Sequence, residues 1–275
     1  MKPKPFTYLR PANLNEALQA LSRFGEDARI LAGGQSLLPM MNFRLVQANA
    51  LIDISRLDPL AYIREADGEI EIGAATTQAQ LLEWPMLREV APLLSAALPH
   101  VGHFQTRSRG TVCGSIAHSD PASELPLCLA TLGGTVVLRS PKGERVLTAD
   151  KFQTGMLATA RRSDEVVTAV RFPKRKPGAG YAFMEMAQRH GDFAICAVAA
   201  VVTGKTARLG VGGVADKPMT REWSGLLDGE IEDALNDFAW DLGGTDDHHA
   251  TAAYRRELVR RLGRRAIEEA AKCSS

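Results

Sequence analysis

Leu31-Ala32-Gly33-Gly34-Gln35-Ser36-Leu37-Leu38-Pro39 is the stretch around which the rest of the chain is organised. It follows a short apolar run, Ala28–Leu31, that reads as a buried strand. Gly33 and Gly34 let the backbone turn through conformations closed to residues with a Cβ. Ser36 is placed to cap a following helix, and Pro39 falls in that helix's first turn, where a missing N–H is harmless. Strand, tight turn and helix start bring unpaired N–H groups to one point, which suits a phosphate. On its own the stretch reads first as an ordinary strand-to-helix connection, since glycine pairs are common turn punctuation.

The 275 residues allow one large domain or two to three small ones, and 45% hydrophobic content is ample for a packed core. With 33 basic and 32 acidic residues, the net charge of +1 sets up no global field to recruit nucleic acid or an anionic membrane. Cys113, Cys128, Cys196 and Cys273 are too scattered for a zinc site or an iron–sulfur cluster, and disulfides are not expected. Met1-Lys2-Pro3-Lys4-Pro5 has no apolar run behind it, so no signal peptide is read, and no apolar stretch is long enough to cross a bilayer. The expectation is a soluble cytoplasmic protein.

In chain order, Asn13 opens a helix with Glu16 three residues on, and Gly25 closes it. After the glycine turn come a short helix at 37–45 and a buried strand at 50–54. Residues 62–66 and 69–74 flank Asp67-Gly68, a hairpin signal. Helices are expected at 77–84 and 86–98, then a glycine- and serine-rich segment at 102–123. A second hairpin turns at Pro141-Lys142-Gly143, and a strand at 165–172 ends at Pro173. Lys174-Arg175-Lys176-Pro177-Gly178 reads as a linker, either solvated or able to bind an anion. Beyond it, 181–186, 194–203 and 207–214 fit an antiparallel sheet, although the middle run also fits a helix. Helices at 231–242 and 247–271 finish the chain. The last carries Arg255, Arg256, Arg260, Arg261, Arg264 and Arg265 on one face, read as solvated or as a subunit contact.

Arg109-Gly110-Thr111-Val112-Cys113-Gly114-Ser115-Ile116-Ala117-His118-Ser119-Asp120-Pro121 is a second glycine loop. Thr111 and Ser115 add hydroxyls beside open N–H groups, and Arg107 and Arg109 add charge. Asp120-Pro121 signals a helix start, with Glu124 in its first turn. Two such loops, each opening a helix, suit a ligand with two phosphates. Neither the dinucleotide fingerprint nor a P-loop is present; Gly204-Lys205-Thr206 is read as a hairpin turn.

These two loops, with Ala122-Ser123-Glu124, Arg189-His190-Gly191-Asp192-Phe193-Ala194 and Gly210-Val211-Gly212-Gly213-Val214-Ala215, resemble the FAD-binding medium subunit of the molybdenum hydroxylases, the xanthine dehydrogenase and carbon monoxide dehydrogenase family. The resemblance runs in order over nearly the whole chain. It implies an α+β fold: a two-part FAD-binding domain of the vanillyl-alcohol-oxidase (PCMH) type over 1–175, with subdomains about 1–56 and 57–175, and a C-terminal antiparallel sheet with helices over 176–275. The implied cofactor-binding set is Arg29, Leu31, Ala32, Gly33, Gly34, Gln35, Ser36, Leu37, Val101, Gly110, Thr111, Cys113, Gly114, Ser115, His118, Asp120, Glu124 and Glu185. The pyrophosphate would lie between the loops, Glu124 at the ribityl chain, and Glu185, Arg189 and Asp192 near the isoalloxazine. No catalytic acid or base and no metal ligand is implied in this chain.

The resemblance further implies an electron-transfer subunit. A small subunit would carry two [2Fe–2S] centres and a large one molybdopterin, as a dimer of heterotrimers, and electrons would leave FAD for NAD⁺, oxygen, a quinone or a cytochrome. The alternatives are a stand-alone FAD oxidase of the same fold and a non-catalytic scaffold. Cys113 departs from the glycine found at its position in many members; it reads as a small buried filler or a reactive thiol. Arg29 replaces a common lysine, and Glu185 stands where some members carry lysine. His118 reads as a flavin contact or a turn cap, His100 and His103 as ring-edge contacts, and His248-His249 as a metal pair or a solvated helix start. Tyr181 and Phe183 read as core, or one of them as a cover for the flavin face.

Overall fold

The computed structural model describes residues 2–226, 229 and 231–274. Its first unit is a small parallel sheet. Strand β1 (Thr7–Leu9) leads into helix α1 (Leu14–Phe24), which Asn13 caps by accepting from the Glu16 N–H at 3.0 Å. Glu16 Oε2 in turn accepts from the Ala12 N–H, and Gly25 ends the helix at φ +55°. Strand β2 (Ala28–Leu31) has the expected bounds. Helix α2 (Leu37–Asn42) is shorter than expected, and β3 (Ala50–Asp53) runs between β1 and β2, parallel to both. The structure adds β1, which the sequence reading left unassigned: three residues are too few for periodicity to register.

The next unit is a five-stranded antiparallel sheet. Hairpin β4 (Ile63–Ala66) and β5 (Glu69–Gly73) turns at Asp67 and Gly68, both with positive φ. Helix α3 (Gln78–Leu82) follows a complete capping box from Thr77 and Gln80. The single helix expected at 86–98 is two, α4 (Leu87–Val90) and α5 (Pro92–Ala97). Pro92 drives Ala91 out of the helical region, to φ −138°. Helices α6 (Phe104–Arg107) and α7 (Val112–His118) lie within the glycine- and serine-rich segment, and α8 (Glu124–Leu132) follows it directly. Strands β6 (Thr135–Ser140) and β7 (Gly143–Thr148), helix α9 (Ala149–Phe152) and the small hairpin β8 (Gln153–Gly155) and β9 (Ala158–Thr159) lead to β10 (Val166–Pro173). The sheet order is β4-β5-β10-β6-β7. The start of the expected linker is pinned, the Lys174 N–H donating to Gly68 O and the Arg175 N–H to Val90 O, while residues 175–178 are exposed to solvent.

The last unit is an antiparallel sheet, β11 (Ala179–Ala187), β12 (Ala194–Thr203), β13 (Thr206–Gly212) and β14 (Met219–Ser224), in sequential order. The middle run is therefore a strand, paired on both sides. Helices α10 (Ile231–Asp241) and α11 (Ala252–Lys272) cover one face. The other face meets α8. Side chains alternate across a strand, so Tyr181 and Phe183 of β11 with Ala197 and Ala199 of β12 join the large first core. Ala182, Cys196 and Val198 join the core under α10 and α11.

Glycines set how closely α8 approaches. A Cβ on Gly210 would sit 2.0 Å from Thr131 Oγ1, and one on Gly212 would sit 3.1 Å from Pro121 O. The Gly213 N–H donates to Pro121 O at 2.7 Å. The Gly210–Gly213 motif is thus a helix-on-sheet contact.

Two expectations for the C-terminal helix change. It starts at Ala252, capped by Thr251, because Asp247 holds the preceding turn through the His249 and Ala250 N–H groups. Arg255 leaves the solvated face. It is 5% exposed, donates to Ile195 O and Gly213 O, and pairs with Asp247 at 2.6 Å. Arg256, Arg261 and Arg264 do face outward.

Gly210→Ala is expected to lower stability by about 1–3 kcal/mol, since the Thr131 side chain or the whole helix must shift. Gly155→Ala, where an added Cβ meets nothing within 4 Å, is the matched control. Thermal denaturation of both variants checks this; equal melting temperatures would contradict close packing at Gly210.

Candidate functional site

The two glycine loops, far apart in sequence, touch. A Cβ on Gly33 would lie 2.3 Å from Arg109 O and 2.7 Å from Gly110 Cα, so the contact exists only because residue 33 is glycine. Gly34 turns the chain at φ +72°. Ser36 occupies the N-cap of α2, but its own backbone is already helical (φ −100°, ψ −46°) and its hydroxyl makes no capping bond, contrary to expectation. Among the described residues, the N–H groups of Gly33, Gly34, Gln35 and Ser36 have no protein acceptor.

The second loop is braced from behind. The Gln78 N–H donates to Gly110 O and the Val112 N–H to Thr76 O, which hooks the loop onto the start of α3. Thr111 caps α7, accepting from the Gly114 N–H at 3.0 Å. The N–H groups of Thr111 and Cys113 are left without acceptors among the described residues.

Between the loops runs a cleft of about 600 Å³, within the size range of small-molecule sites. Arg29, Ala32, Gly33, Gly34, Gln35, Ser36, Leu37, Val101, Gly110, Thr111, Cys113, Gly114, Ser115, His118 and Glu124 line it. Three expected residues lie outside the lining. Leu31 packs into a small core with Met41, Ala48 and Leu51. Asp120 closes a turn, accepting from the Ala122 N–H at 2.9 Å; the helix expected directly after it starts at Glu124 instead. Glu185 sits on β11, paired across the sheet with Ala197 of β12.

Gly191, Asp192 and Phe193 of the quoted 189–194 motif line the cleft too, along with residues that the sequence reading passed over: Gln78, Thr106, Leu157, Thr159 and Arg161. Gln78 has a buried Oε1 with no partner, although it is only 5% exposed. Leu157 has φ +53°, unusual for a bulky residue, and is 46% exposed. Arg161 donates to Arg162 O and Glu165 O, and burial with the nearby Arg29 charge holds its pKa below the usual arginine value. None of these has a local sequence signal; they arrive from α3, from α6 and from the segment around β9.

Burial pushes Glu124 up to about 7, with Asp120 adding to the shift, and lowers His118. Cys113 Sγ is buried against Ile72 O at 3.4 Å, and burial raises its thiol far above the range of a reactive cysteine. His100 rests on Phe183 and His190, with centroids at 5.3 and 5.8 Å, outside the cleft. His248 and His249 lie in the turn before α11. Among the described residues, no group of His, Cys, Asp and Glu could hold a metal ion, and no helix is long and apolar enough to cross a membrane.

The donors fit a flavin dinucleotide: neutral N–H groups from two facing loops for a diphosphate, an unpaired carboxamide, and a carboxyl deep in the cleft. The family described as FAD binding domain in molybdopterin dehydrogenase matches residues 4–175, and the CO dehydrogenase flavoprotein C-terminal domain matches 181–270. The caffeine dehydrogenase subunit beta of Pseudomonas sp. (strain CBB1) is 39% identical over 74% of this chain and 69% of its own length. The carbon monoxide dehydrogenase medium chain of Afipia carboxidovorans is 34% identical over 98% of each. The crystal structure of quinoline 2-oxidoreductase from Pseudomonas putida 86 superposes with a TM-score of 0.91 at 33% identity, covering 100% of this chain and 99% of that one. The chain therefore belongs to the family of FAD-binding subunits of the molybdenum hydroxylases, and is the flavin-carrying part of an oxidoreductase.

Proposed function

We propose that FAD lies in the cleft with its pyrophosphate between the loops at 32–36 and 110–115. The observation that carries this reading is the contact of Gly33 with Arg109 and Gly110, which sets two rows of unpaired N–H groups around one space. Ser36 and Ser115 add hydroxyls. Glu124, at the start of α8, is positioned for the ribityl hydroxyls, and the 189–193 turn, through Asp192 and Phe193, covers the other end. Arg29, Leu31, Leu37, Val101, His118, Asp120 and Glu185 complete the set, with Leu31 and Asp120 acting through the loops they shape. Gln78 and Arg161 join it. The division into 1–175 and 176–275 belongs to the same reading; the core under α10 and α11 draws only on the later segment, although the other face of its sheet joins the first core.

A bound flavin supplies one-electron and two-electron transfer between donor and acceptor. The residues of this chain bind and orient it, exclude water from one side and set its electrostatic surroundings. Substrate oxidation belongs to a partner. The relatives' names point to medium and beta subunits, which supports assembly with a small [2Fe–2S] subunit and a large molybdopterin subunit, in our reading as a dimer of heterotrimers. Four free thiols, three of them buried, fit a reducing compartment and support a cytoplasmic setting.

Gly33→Val and Gly114→Val test the loops. The first would force the loops apart, and the second would press on Thr111 Oγ1, 2.7 Å from the added Cβ. Each is expected to lower flavin retention by about tenfold or more, equivalent to about 1.4 kcal/mol of binding. Far-ultraviolet circular dichroism should stay near that of the parent. Unchanged flavin-to-protein ratios in both would refute the assignment. Molybdenum and iron are expected to co-purify with the native complex in a fixed ratio to this chain, as metal analysis and subunit masses will show.

A further inference from the structure

Glu185 breaks the pattern of its strand. Tyr181 and Phe183 precede it on the same face of β11, and both pack against the first core. Its cross-strand neighbour Ala197 belongs to that core as well. A carboxyl thus stands where the row calls for an apolar side chain. Its Oε2 is buried and has no hydrogen-bond partner. The bare glycines of β13 let α8 settle onto the same sheet face, which carries Glu124, 6% exposed, up to the cleft. Glu185, Ala197 and Gly212 stand in one row across the sheet, and a Cβ on Gly212 would meet Pro121 O and the Leu127 side chain, the two residues that bracket Glu124; at that spacing the Glu124 charge bears on Glu185. No cation is paired with either among the described residues.

We propose that Glu124 and Glu185 act as a unit that keeps one proton between them, and that this proton is linked to flavin binding. Glu185 is then a positioning residue: it acts on the ligand through Glu124. The inference rests on the flavin reading above. Two neighbouring carboxylates in a largely buried site repel each other when both are ionised, so one proton stays. Burial pushes Glu185 up to about 8, with Glu124 adding to the shift; burial pushes Glu124 up to about 7. The groups facing the pair do not remove this effect. Asp120 and His118 stand beside Glu124, and Cys128 lies one turn along α8. Cys196 on β12 lies across the sheet from Glu185, with the Arg255 guanidinium beyond it, already engaged by Asp247 and two carbonyls. His100 meets Phe183, next but one along the strand.

The sign follows directly. FAD carries a negatively charged diphosphate, so it binds best when the pair holds its proton. As pH rises and the free protein loses that proton, binding must take one back, and affinity falls by up to about tenfold per pH unit.

The test uses the full chain stripped of flavin and titrated with FAD, followed by flavin fluorescence. Above about pH 8, the parent's dissociation constant should climb with pH, whereas E185Q, which carries the charge of the singly protonated pair at every such pH, should bind with a nearly flat profile. E185A should share the flat profile but bind more weakly, having lost the polar group. Identical pH slopes in parent and E185Q, or a flat parent, would overturn the pairing. Should E185Q hold no flavin, calorimetry of the parent in buffers of different ionisation enthalpy decides instead. Proton uptake on binding above about pH 8 supports the unit, and none refutes it. Failure of the parent to bind FAD at any pH would sink the flavin reading itself, and this inference with it.

Discussion

The structure depends on one missing atom. Residue 33 has no Cβ, and the backbone at Arg109 and Gly110 occupies the place where one would stand. A parallel-sheet unit built from the first sixty residues and a loop more than seventy residues further on are locked at that point. Everything in the cleft is measured from it. Loop-closure entropy rises only slowly with the length closed, so a contact at this separation is affordable once a sheet stands behind each partner. Strands β2 and β3 hold one side; the bonds from Gln78 and Val112 hold the other.

A second close approach sets the depth of the cleft. Helix α8 carries Glu124 in its first turn, and the reach of that residue depends on how near the helix lies to the C-terminal sheet. Gly210 and Gly212 remove the side chains that would hold it off, and Gly213 fixes its leading end by bonding Pro121 O. Arg255 then ties that same end of the sheet to α11 through Ile195 and Gly213. The glycines of the C-terminal third therefore work on the geometry of the cleft without lining it.

The sequence was most legible where structure is local. Asn13 with Glu16, Asp67-Gly68 and the bounds of β2 follow from neighbours within four residues, and each stands as read. The Ala91 break was also local, but the apolar periodicity through it masked the effect of Pro92. Long-range features were silent. β1 is recognisable only beside β3, and β14 only beside β13. Gln78 enters the cleft from α3 and Leu157 and Arg161 from the two sides of β9, about eighty residues further on, and no spacing in the chain relates the two places. Arg255 looked like one of six exposed arginines, because a helix face in sequence does not show which of its residues the packed sheet will cover. The motifs of the cleft were readable for the opposite reason: a glycine turn followed by a helix start keeps its chemistry within a few residues.

The charges around the cleft are arranged so that few of them are free. Arg29 spends its guanidinium on Glu26 O and Ala28 O, and Arg161 on Arg162 O and Glu165 O. Arg107, next to the second loop, is likewise turned onto Val101 O and Gly102 O. What remains for a diphosphate at the loop contact is a set of neutral amide donors. Such donors bind an anion without adding a full countercharge, so they hold the ligand while leaving the field further along the cleft to other groups. There the nearest ionisable groups are carboxyls lifted towards neutrality by burial. A carrier that must both accept and surrender electrons gains from this division. On the proposed placement of the flavin, strong positive charge beside it would favour its reduced form too far and fully ionised carboxylates would do the reverse, whereas neutral amides and carboxyls whose pKa burial has raised avoid both extremes.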